Sequence, residues 1–122
     1  MGEVVTKIKV SHLANKKFVE IETLVDTGAT YTVIPSKILE DLNISKIRRI
    51  NVEFANGEVE ERDMGDVYIE LENVRVPNQI IFGKEKDAIV LGLITIESAG
   101  MTVDPINRKL LFLPKIHCYK NG

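Results

Sequence analysis

Residues 24–30 read LVDTGAT, in which one acidic residue separates an apolar strand from a glycine turn. Acidic side chains are rarely buried unless they are paired, so a carboxylate at the end of an apolar strand is expected to lower stability. One explanation is local, because an aspartate before glycine often accepts hydrogen bonds from the backbone of a turn. The other explanation is that the carboxylate takes part in a chemical reaction. Asp26 is therefore a candidate for turn formation or for a reaction.

Size and composition indicate one ordinary globular domain. The chain has 122 residues, of which 44% are hydrophobic and 28% are charged. These values are close to average globular usage, and the length leaves no room for a second core. We predict a single domain over residues 1–122.

The charge pattern does not favour nucleic acid as a partner. The formal net charge is −2, and acidic and basic residues are interleaved along the chain, whereas a polyanion-binding protein usually carries a basic patch. One small basic cluster, Lys46, Arg48 and Arg49, alternates with isoleucines. We interpret it as a solvated strand face, with a binding patch as the alternative.

Cysteine usage and hydropathy favour a cytoplasmic protein. The single cysteine, Cys118, cannot form an intramolecular disulfide, and the chain has no zinc-type cysteine and histidine spacing. Residues 1–10 lack the pattern of a secretory signal, and no apolar run has membrane-spanning length. No membrane partner is expected. A myristoylation pattern at residues 1–6, MGEVVT, is matched only weakly.

Alternation of apolar and polar residues predicts β-structure over most of the chain. Residues 4–10 and 18–25 flank the turn-forming LANKK at 13–17, which predicts a hairpin. A second hairpin is expected around Asn56-Gly57, the dipeptide best suited to a type I′ turn. Further strands are predicted at residues 31–34, 67–71, 74–77, 80–82 and 88–91, and in a last hairpin that turns at 104–107.

Two short helices are predicted, one in each half of the chain. Apolar residues have helical spacing within residues 35–43, and residues 93–100, LITIESAG, are typical of a short helix that ends at Gly100. In both halves an apolar strand enters a glycine turn, TLVDTGAT at 23–30 and AIVLGLIT at 88–95. This similarity is consistent with an internal duplication in which only the first copy has an acid.

Together these elements resemble the retropepsin-like aspartic proteases, a family of single-domain retroviral, retrotransposon-type and related cellular proteins. The resemblance rests on LVDTGAT at 24–30, ANGEVEERDMG at 55–65, and IVLGL followed by MTVDP at 89–105. It implies an all-β fold, namely a closed acid-protease β-barrel with one or two short helices and a flap hairpin. It also implies that Gly92 is the structural glycine of the second half-module.

Peptide hydrolysis explains why such a fold needs an acid in this turn. Water is a poor nucleophile and an amide nitrogen is a poor leaving group, so a catalyst must both accept and donate protons. Two adjacent carboxylates do both, because they cannot both ionise readily and share one proton; aspartic proteases are the standard example. The chain has one Asp-Thr-Gly, so the second carboxylate must come from another copy across a twofold axis.

The resemblance therefore implies a homodimeric aspartic endopeptidase without a cofactor, in which Asp26 of each chain is catalytic. Thr27 is expected to hydrogen-bond across the axis, and Gly28 to allow close approach of backbone and substrate. Residues expected to contact a peptide or protein substrate are Ala29, Thr30, Phe54, Asn56, Gly57 and Val59. In the hairpin, Phe54 and Val59 are expected to face the cleft. Water is expected to surround Glu58, Glu60 and Glu61.

Two features differ from the retroviral members of that family. Thr30 stands where those members usually have aspartate, which leaves the substrate preference open. Residues 51–64 contain only one glycine, Gly57, so a stiffer or differently shaped lid is predicted. The alternatives to an active protease are a catalytically weak or inactive peptide-binding module on the same fold, or a structural dimerisation domain. The retained Asp-Thr-Gly favours the enzyme.

Overall fold

Residues 3–121 are described by a computed structural model, so the weak myristoylation pattern at Gly2 lies outside the described residues. In order, the described elements are β1 (Val5–Ser11), β2 (Phe18–Val25), β3 (Thr32–Pro35), α1 (Ser36–Asp41), β4 (Arg48–Glu53), β5 (Val59–Leu71), β6 (Val74–Gly83), β7 (Val90–Leu91), α2 (Leu93–Ser98), β8 (Met101–Asp104) and β9 (Lys109–Phe112). No helix in this part of the chain is long and apolar enough to cross a membrane.

Seven of the strands form a sheet that closes on itself. Their order is β1-β2-β7-β3-β6-β5-β4, and β1 also pairs with β5. The closing contact is antiparallel and places Val10 opposite Ile69. Strand β4 remains outside this ring and pairs with β5, while β8 and β9 form a separate hairpin. The prediction of an all-β closed barrel with short helices is confirmed.

The core fills the inside of the barrel with the apolar residues that alternate along the strands. In β5, for example, Val67, Ile69 and Leu71 are buried whereas the residues between them are partly exposed, as expected for a strand with one face on the core. Both helices cover this core: α1 contributes Leu39 and α2 contributes Ile96. The apolar residues at helical spacing in the sequence are therefore those that pack against the barrel core.

The two half-modules noticed in the sequence lie side by side. Strands β2 and β7 are parallel neighbours, with Leu24 opposite Val90 and Val25 opposite Leu91. Each strand enters a glycine turn, and each turn leads to a short helix, after β3 in the first copy and directly in the second. The pairing brings the Asp-Thr-Gly turn next to the turn at Gly92.

The hairpin between β4 and β5 has a three-residue loop, so the predicted type I′ turn at Asn56-Gly57 is wrong. The Phe54 N–H donates to the Glu58 carbonyl at 2.9 Å, and the Gly57 N–H donates to the Phe54 carbonyl at 2.9 Å. A type I′ turn needs a positive φ at both central residues, but in this loop only Gly57 has one, +85°. Asn56 Oδ1 instead accepts a hydrogen bond from the Glu58 N–H at 3.0 Å.

Two consecutive positive φ angles do occur, in the turn between β5 and β6. Glu72 has a φ of 48° and Asn73 a φ of 66°, and they join the paired residues Leu71 and Val74. A two-residue loop with both residues in the left-handed region is a type I′ turn. Glutamate is uncommon in that region, so the dipeptide Glu72-Asn73 does not indicate such a turn.

Glu72→Asn is expected to raise the free energy of unfolding by about 0.5 kcal/mol, because asparagine enters the left-handed region more readily than glutamate. Glu72→Val is expected to lower it by about 1 kcal/mol, because a β-branched residue is strained at that φ. Urea denaturation of the three proteins measures both changes. Equal stabilities would contradict a type I′ turn at this position.

Candidate active site

Asp26 lies directly after β2, with its side chain exposed. Its Oδ1 accepts a hydrogen bond from the Gly28 N–H at 2.9 Å, and its carbonyl accepts one from the Ala29 N–H at 3.1 Å. Asp26 therefore stabilises the turn, as the local explanation predicts. Oδ2 makes no hydrogen bond within residues 3–121, so this oxygen is open to a ligand. No group of three or more acidic, histidine or cysteine side chains in that range is arranged to hold a metal ion.

Close packing inside the turn gives Gly28 a steric role. A Cβ on Gly28 would lie 3.2 Å from Asp26 Oδ1, so a side chain would press on the oxygen that the Gly28 N–H binds. Thr27, by contrast, is exposed and borders an apolar groove of about 520 Å³ between α2 and the C-terminal segment. The turn thus holds the carboxylate on one side and presents Thr27 on the other.

The second half-module supports this turn through backbone hydrogen bonds. The Asp26 N–H donates to the carbonyl of Leu91 in β7 at 3.0 Å. The first N–H groups of α2 donate to the residues that follow Gly28. These bonds join Leu93 to the Ala29 carbonyl at 2.8 Å and Ile94 to the Thr30 carbonyl at 3.1 Å. Because both carbonyls and the Ala29 N–H are already bonded within the turn region, the two side chains and the Thr30 N–H are left for a substrate.

Gly92 is in contact with the backbone that follows the first turn. A Cβ on Gly92 would lie 2.8 Å from the Thr32 nitrogen and even closer to the carbonyl group of Tyr31. Neither neighbour is the end of a flexible side chain, so no larger residue fits without moving β3. This contact explains the glycine at position 92, which carries no functional group of its own.

Three buried polar side chains that were not among the predicted site residues stabilise the contact. Thr32 Oγ1 accepts a hydrogen bond from the Gly92 N–H at 2.9 Å and lies 2.6 Å from Thr95 Oγ1. Thr95 in turn donates to Asn78 Oδ1 at 2.9 Å. A hydroxyl has one proton, so Thr32 must donate to Thr95. In the sequence, Thr32 and Asn78 are only polar residues within apolar strands and Thr95 a polar residue within a short apolar helix, which indicates no contact among them.

Five apolar residues form a row across the barrel, on the face opposite the core. Directly paired residues point to the same face of a sheet, and the pairings connect β2, β7, β3, β6 and β5. We call these residues the outer row: Leu24, Val90, Val33, Ile81 and Met64. None belongs to the core cluster. Asp26 comes two residues after Leu24, so alternation places its side chain on this face.

A sequence model of one protein family, described as "gag-polyprotein putative aspartyl protease", matches residues 12–98. The chain belongs to this family of retropepsin-like aspartic proteases. The matched segment contains the Asp26 turn, the β4–β5 hairpin and the Gly92 turn. Among curated protein sequences, none is significantly similar to the chain.

Solved structures with this fold include retroviral proteases and a cellular relative. The EIAV protease in complex with the inhibitor HBY-793 has a TM-score of 0.63 at 16% identity, covering 81% of this chain and 89% of that one. The simian foamy virus (mac) protease has a TM-score of 0.56 at 18% identity, covering 76% and 91%. The retroviral protease-like domain of Ddi1 from Leishmania major has a TM-score of 0.57 at 13% identity, covering 92% and 90%. At these identities the similarity establishes the retropepsin-like fold.

In this retropepsin-like chain, Phe54 and Val59 lie on opposite faces of the β4–β5 hairpin, so the prediction that both face one cleft is wrong. Val59 pairs with Glu53, and the next residue along β4 points the other way. Phe54 therefore shares a face with Arg62 and Met64, the face of the outer row. Val59 is 59% exposed on the other face. The intervening three-residue loop sets this register, and the sequence did not predict that loop.

Glu60 also differs from its prediction, because it contacts Arg62 instead of facing only water. Arg62 Nη1 donates to Glu60 Oε1 at 3.1 Å, and the Arg62 guanidinium stacks 5.0 Å from the centre of the Phe54 ring. Glu60 is half-buried as a result. The base of the hairpin is thus packed around one cation.

That cation forms a buried ion pair with the loop before β7. Arg62 Nε and Nη2 donate to the two carboxylate oxygens of Asp87 at 2.8 and 3.0 Å, and the two side chains are only 1% and 8% exposed. The hydrogen bonds from Arg62 lower the pKa of Asp87 below its ordinary value, and those from Asp87 raise the pKa of Arg62. The ion pair fixes β5 to the segment that leads to the Gly92 turn, which gives the predicted stiffer hairpin a physical basis.

Asp87→Asn is expected to lower the free energy of unfolding by about 3 kcal/mol at neutral pH, because the buried Arg62 charge loses its two-point partner. The Asp87 pKa is lower in the folded protein than in the unfolded chain. Its ionised form therefore favours folding above the ordinary carboxyl pKa of about 3.9, and this contribution is lost as the pH falls through the folded-state pKa. The difference in the free energy of unfolding between wild type and Asp87→Asn should therefore become smaller below about pH 4.

Urea denaturation at a series of pH values from about 7 to 2.5 measures this difference. Arg49→Gln is the matched control, because Arg49 pairs with Glu61 and Asp63 at the exposed surface. It is expected to cost less than about 0.5 kcal/mol. If the loss of unfolding free energy caused by Asp87→Asn stayed constant down to the lowest pH, the assigned role of the ion pair would be contradicted.

Gly92→Ala is expected to destabilise the protein by about 3 kcal/mol or to prevent folding, because the added methyl group has no space against the backbone of β3. Gly57→Ala is the control: its Cβ would contact nothing within 4 Å, so only the strain of a positive φ remains, about 1 kcal/mol. Thermal and urea denaturation followed by circular dichroism compare the two. Equal effects of the two substitutions would argue against a close contact at Gly92.

Proposed function

We propose that the protein is a homodimeric aspartic endopeptidase, in which Asp26 of each chain supplies one carboxylate of a catalytic pair. The observation that carries this proposal is the state of Asp26, which is exposed and keeps Oδ2 free on the face of the outer row. The neighbouring turn at Gly92 has no acid, so one chain supplies half of a pair. Membership in the aspartic protease family supports the same conclusion.

In the proposed dimer the two carboxylates share one proton, because two negative charges at close range repel each other. The ionised carboxylate removes a proton from a bound water, whose oxygen attacks the carbonyl carbon of the peptide. The protonated carboxyl transfers its proton to the carbonyl oxygen, so a tetrahedral diol forms. The carboxyl that took the proton of water then gives it to the nitrogen, while the other carboxylate takes a proton back from one diol hydroxyl. The C–N bond breaks, an amine and a carboxylic acid leave, and the pair again holds one proton. The reaction needs no cofactor.

The surface next to Asp26 is suited to contact with a second chain. Thr27 borders a groove lined mainly by apolar residues of α2, β8 and the segment after β9. Three of its lining residues, Leu93, Leu113 and Ile116, are exposed in the single chain. In the adjoining elements α2 and β9, Ile94, Leu111 and Phe112 are exposed as well. An apolar area of this kind favours a protein partner. Dimerisation here would bring the two Asp26 turns to a common twofold axis.

The outer row is the proposed floor of the substrate site. It begins beside Asp26, where the half-buried Leu24 and Val33 are the members that reach the surface, and an extended peptide would bind there as an added strand. Val90, Ile81 and Met64 are buried in the single chain and support that floor.

The β4–β5 hairpin is the proposed flap, with Phe54 on the face of the outer row. Gly57 at the loop and Asn56 beside it are exposed and remain proposed substrate contacts. For Val59, on the other face, we propose no direct contact.

Asp26→Asn is expected to reduce cleavage of an unfolded protein by at least about 1000-fold between roughly pH 4 and 7, because an amide cannot accept the proton of water. Mass spectrometry of the products measures the cleavage. Asp41→Asn is the matched control, since Asp41 is an exposed residue at the end of α1, and it should leave cleavage unchanged. Equal cleavage by wild type and Asp26→Asn would refute the catalytic role.

Analytical ultracentrifugation tests the dimer with the same proteins. Wild type and Asp26→Asn should both associate at high concentration, and activity per chain should rise with protein concentration. A wild type that cleaves while it is strictly monomeric would refute the shared pair. Tight binding of a transition-state analogue such as a pepstatin-type peptide without any turnover would favour the peptide-binding module instead.

A further inference from the structure

The basic cluster of Lys46, Arg48 and Arg49 contains one cation that differs from the other two. Lys46 pairs with Asp63 at 3.6 Å, and Arg49 pairs with Asp63 at 3.5 Å and with Glu61 at 3.9 Å. Arg48 has no carboxylate within 4 Å in residues 3–121. Two of the three charges are therefore neutralised by β5, and Arg48 is not.

Arg48 extends along the outer row toward the catalytic turn. It is the β4 partner of Met64, so its side chain lies on the face of the outer row. Its Nη2 is 3.2 Å from the side-chain oxygen of Gln79 in β6 and 3.5 Å from the hydroxyl of Tyr31. Tyr31 follows Thr30 directly. The guanidinium therefore reaches across β5 to the edge of the candidate active site.

The neighbours of Arg48 leave its charge available. Gln79 and Tyr31 are neutral, and both contacts use Nη2, so most of the guanidinium donors have no partner within this part of the chain. Asp66 shares the face, opposite Gln79, but forms no ion pair with Arg48. An arginine with a free fork of N–H donors binds carboxylates in a two-point geometry.

The position of the guanidinium relates it to a bound peptide. Its contacts lie on β6 and at the start of β3, which are three and two strand spacings from β2, or roughly 10–15 Å from Asp26. An extended peptide rises about 3.3 Å per residue, so a peptide on the outer row would pass Arg48 about three to four residues from the bond at Asp26.

We propose that Arg48 is a specificity-determining residue that selects peptides with an aspartate or glutamate about three to four residues from the cleaved bond. This inference deepens the proposed function and rests on it, because it assumes that peptides lie on the outer row. The neutral shell of Gln79 and Tyr31 orients the guanidinium, and the substrate carboxylate supplies the anion that the chain itself does not.

The test uses eight-residue peptides with apolar central residues that carry glutamate or glutamine at one flanking position at a time. At one position, wild type is expected to cleave the glutamate peptide with a kcat/KM about fivefold higher, a modest ratio because Arg48 is exposed. The difference should appear in KM with kcat unchanged, since Arg48 is remote from the reacting atoms. Added salt should reduce the ratio toward one.

Variants assign the preference to Arg48. Arg48→Gln is expected to bring the glutamate-to-glutamine ratio close to one, and Arg48→Glu to favour lysine at the same position. Arg49→Gln is the matched control, because Arg49 is adjacent in sequence but paired with Asp63, and it should keep the wild-type ratio. Cleavage without any such preference, or a preference that survives Arg48→Gln, would refute the inference and leave the protease function intact.

Binding measurements test the role of Arg48 independently of catalysis. Fluorescence anisotropy of the labelled peptides with Asp26→Asn, and with Asp26→Asn/Arg48→Gln, measures recognition in the absence of turnover. Tighter binding of the glutamate peptide that depends on Arg48 would support the inference even if wild type cleaved no peptide. Equal binding of glutamate and glutamine peptides to Asp26→Asn would refute it.

Discussion

The geometry of the candidate site depends on the close contact between Gly92 and the backbone of Tyr31 and Thr32. A side chain at position 92 would overlap that backbone, so the two half-modules approach as closely as they do only because the residue is glycine. The contact buries the Gly92 N–H, and an unsatisfied buried donor would cost about 1–3 kcal/mol. The Thr32 hydroxyl satisfies it, and Thr95 and Asn78 satisfy Thr32 in turn. The steric constraint therefore requires glycine at position 92, and the hydrogen-bond requirement favours a hydroxyl group at position 32 beside it.

The exposure of Asp26 explains how an acidic residue is tolerated after an apolar strand. Strand β2 ends at Val25, and Asp26 is exposed, so its carboxylate has not lost its hydration. The expected loss of stability is therefore small in the single chain. The support comes from behind the turn, where Leu91 accepts the Asp26 N–H. The carboxylate is held in place without being buried, which leaves one oxygen available for chemistry.

Local sequence patterns predicted the strands and helices, whereas contacts between residues distant in sequence could not be predicted from them. Period-two alternation gave the hairpins, helical spacing gave α1 and α2, and Gly100 ends α2 with a φ of 71°. The type I′ turn was placed at the wrong dipeptide, because Asn56-Gly57 fits two loop types equally well and only the strand register distinguishes them. Val59 was misplaced for the same reason.

The ion pair and the buried threonines had no comparable signal. Arg62 and Asp87 are 25 residues apart, and each lies among other charged residues, so nothing in the sequence indicates that these two meet in a buried site. The barrel closure between β1 and β5 is likewise long-range. The Asp-Thr-Gly turn was predictable because its residues are consecutive, but the network that holds it involves three separate segments of the chain.

These long-range contacts connect the β4–β5 hairpin with the carboxylate. Arg62 binds Asp87 at the base of the hairpin. The segment after Asp87 runs into β7, where Ile89 accepts the Leu24 N–H at 3.0 Å and Leu91 accepts the Asp26 N–H at 3.0 Å. The five residues from 87 to 91 thus touch the hairpin at one end and the Asp26 turn at the other. In the proposed enzyme, closure of this hairpin over a peptide would therefore involve mainly its tip, because movement at its base would displace the segment that positions Asp26.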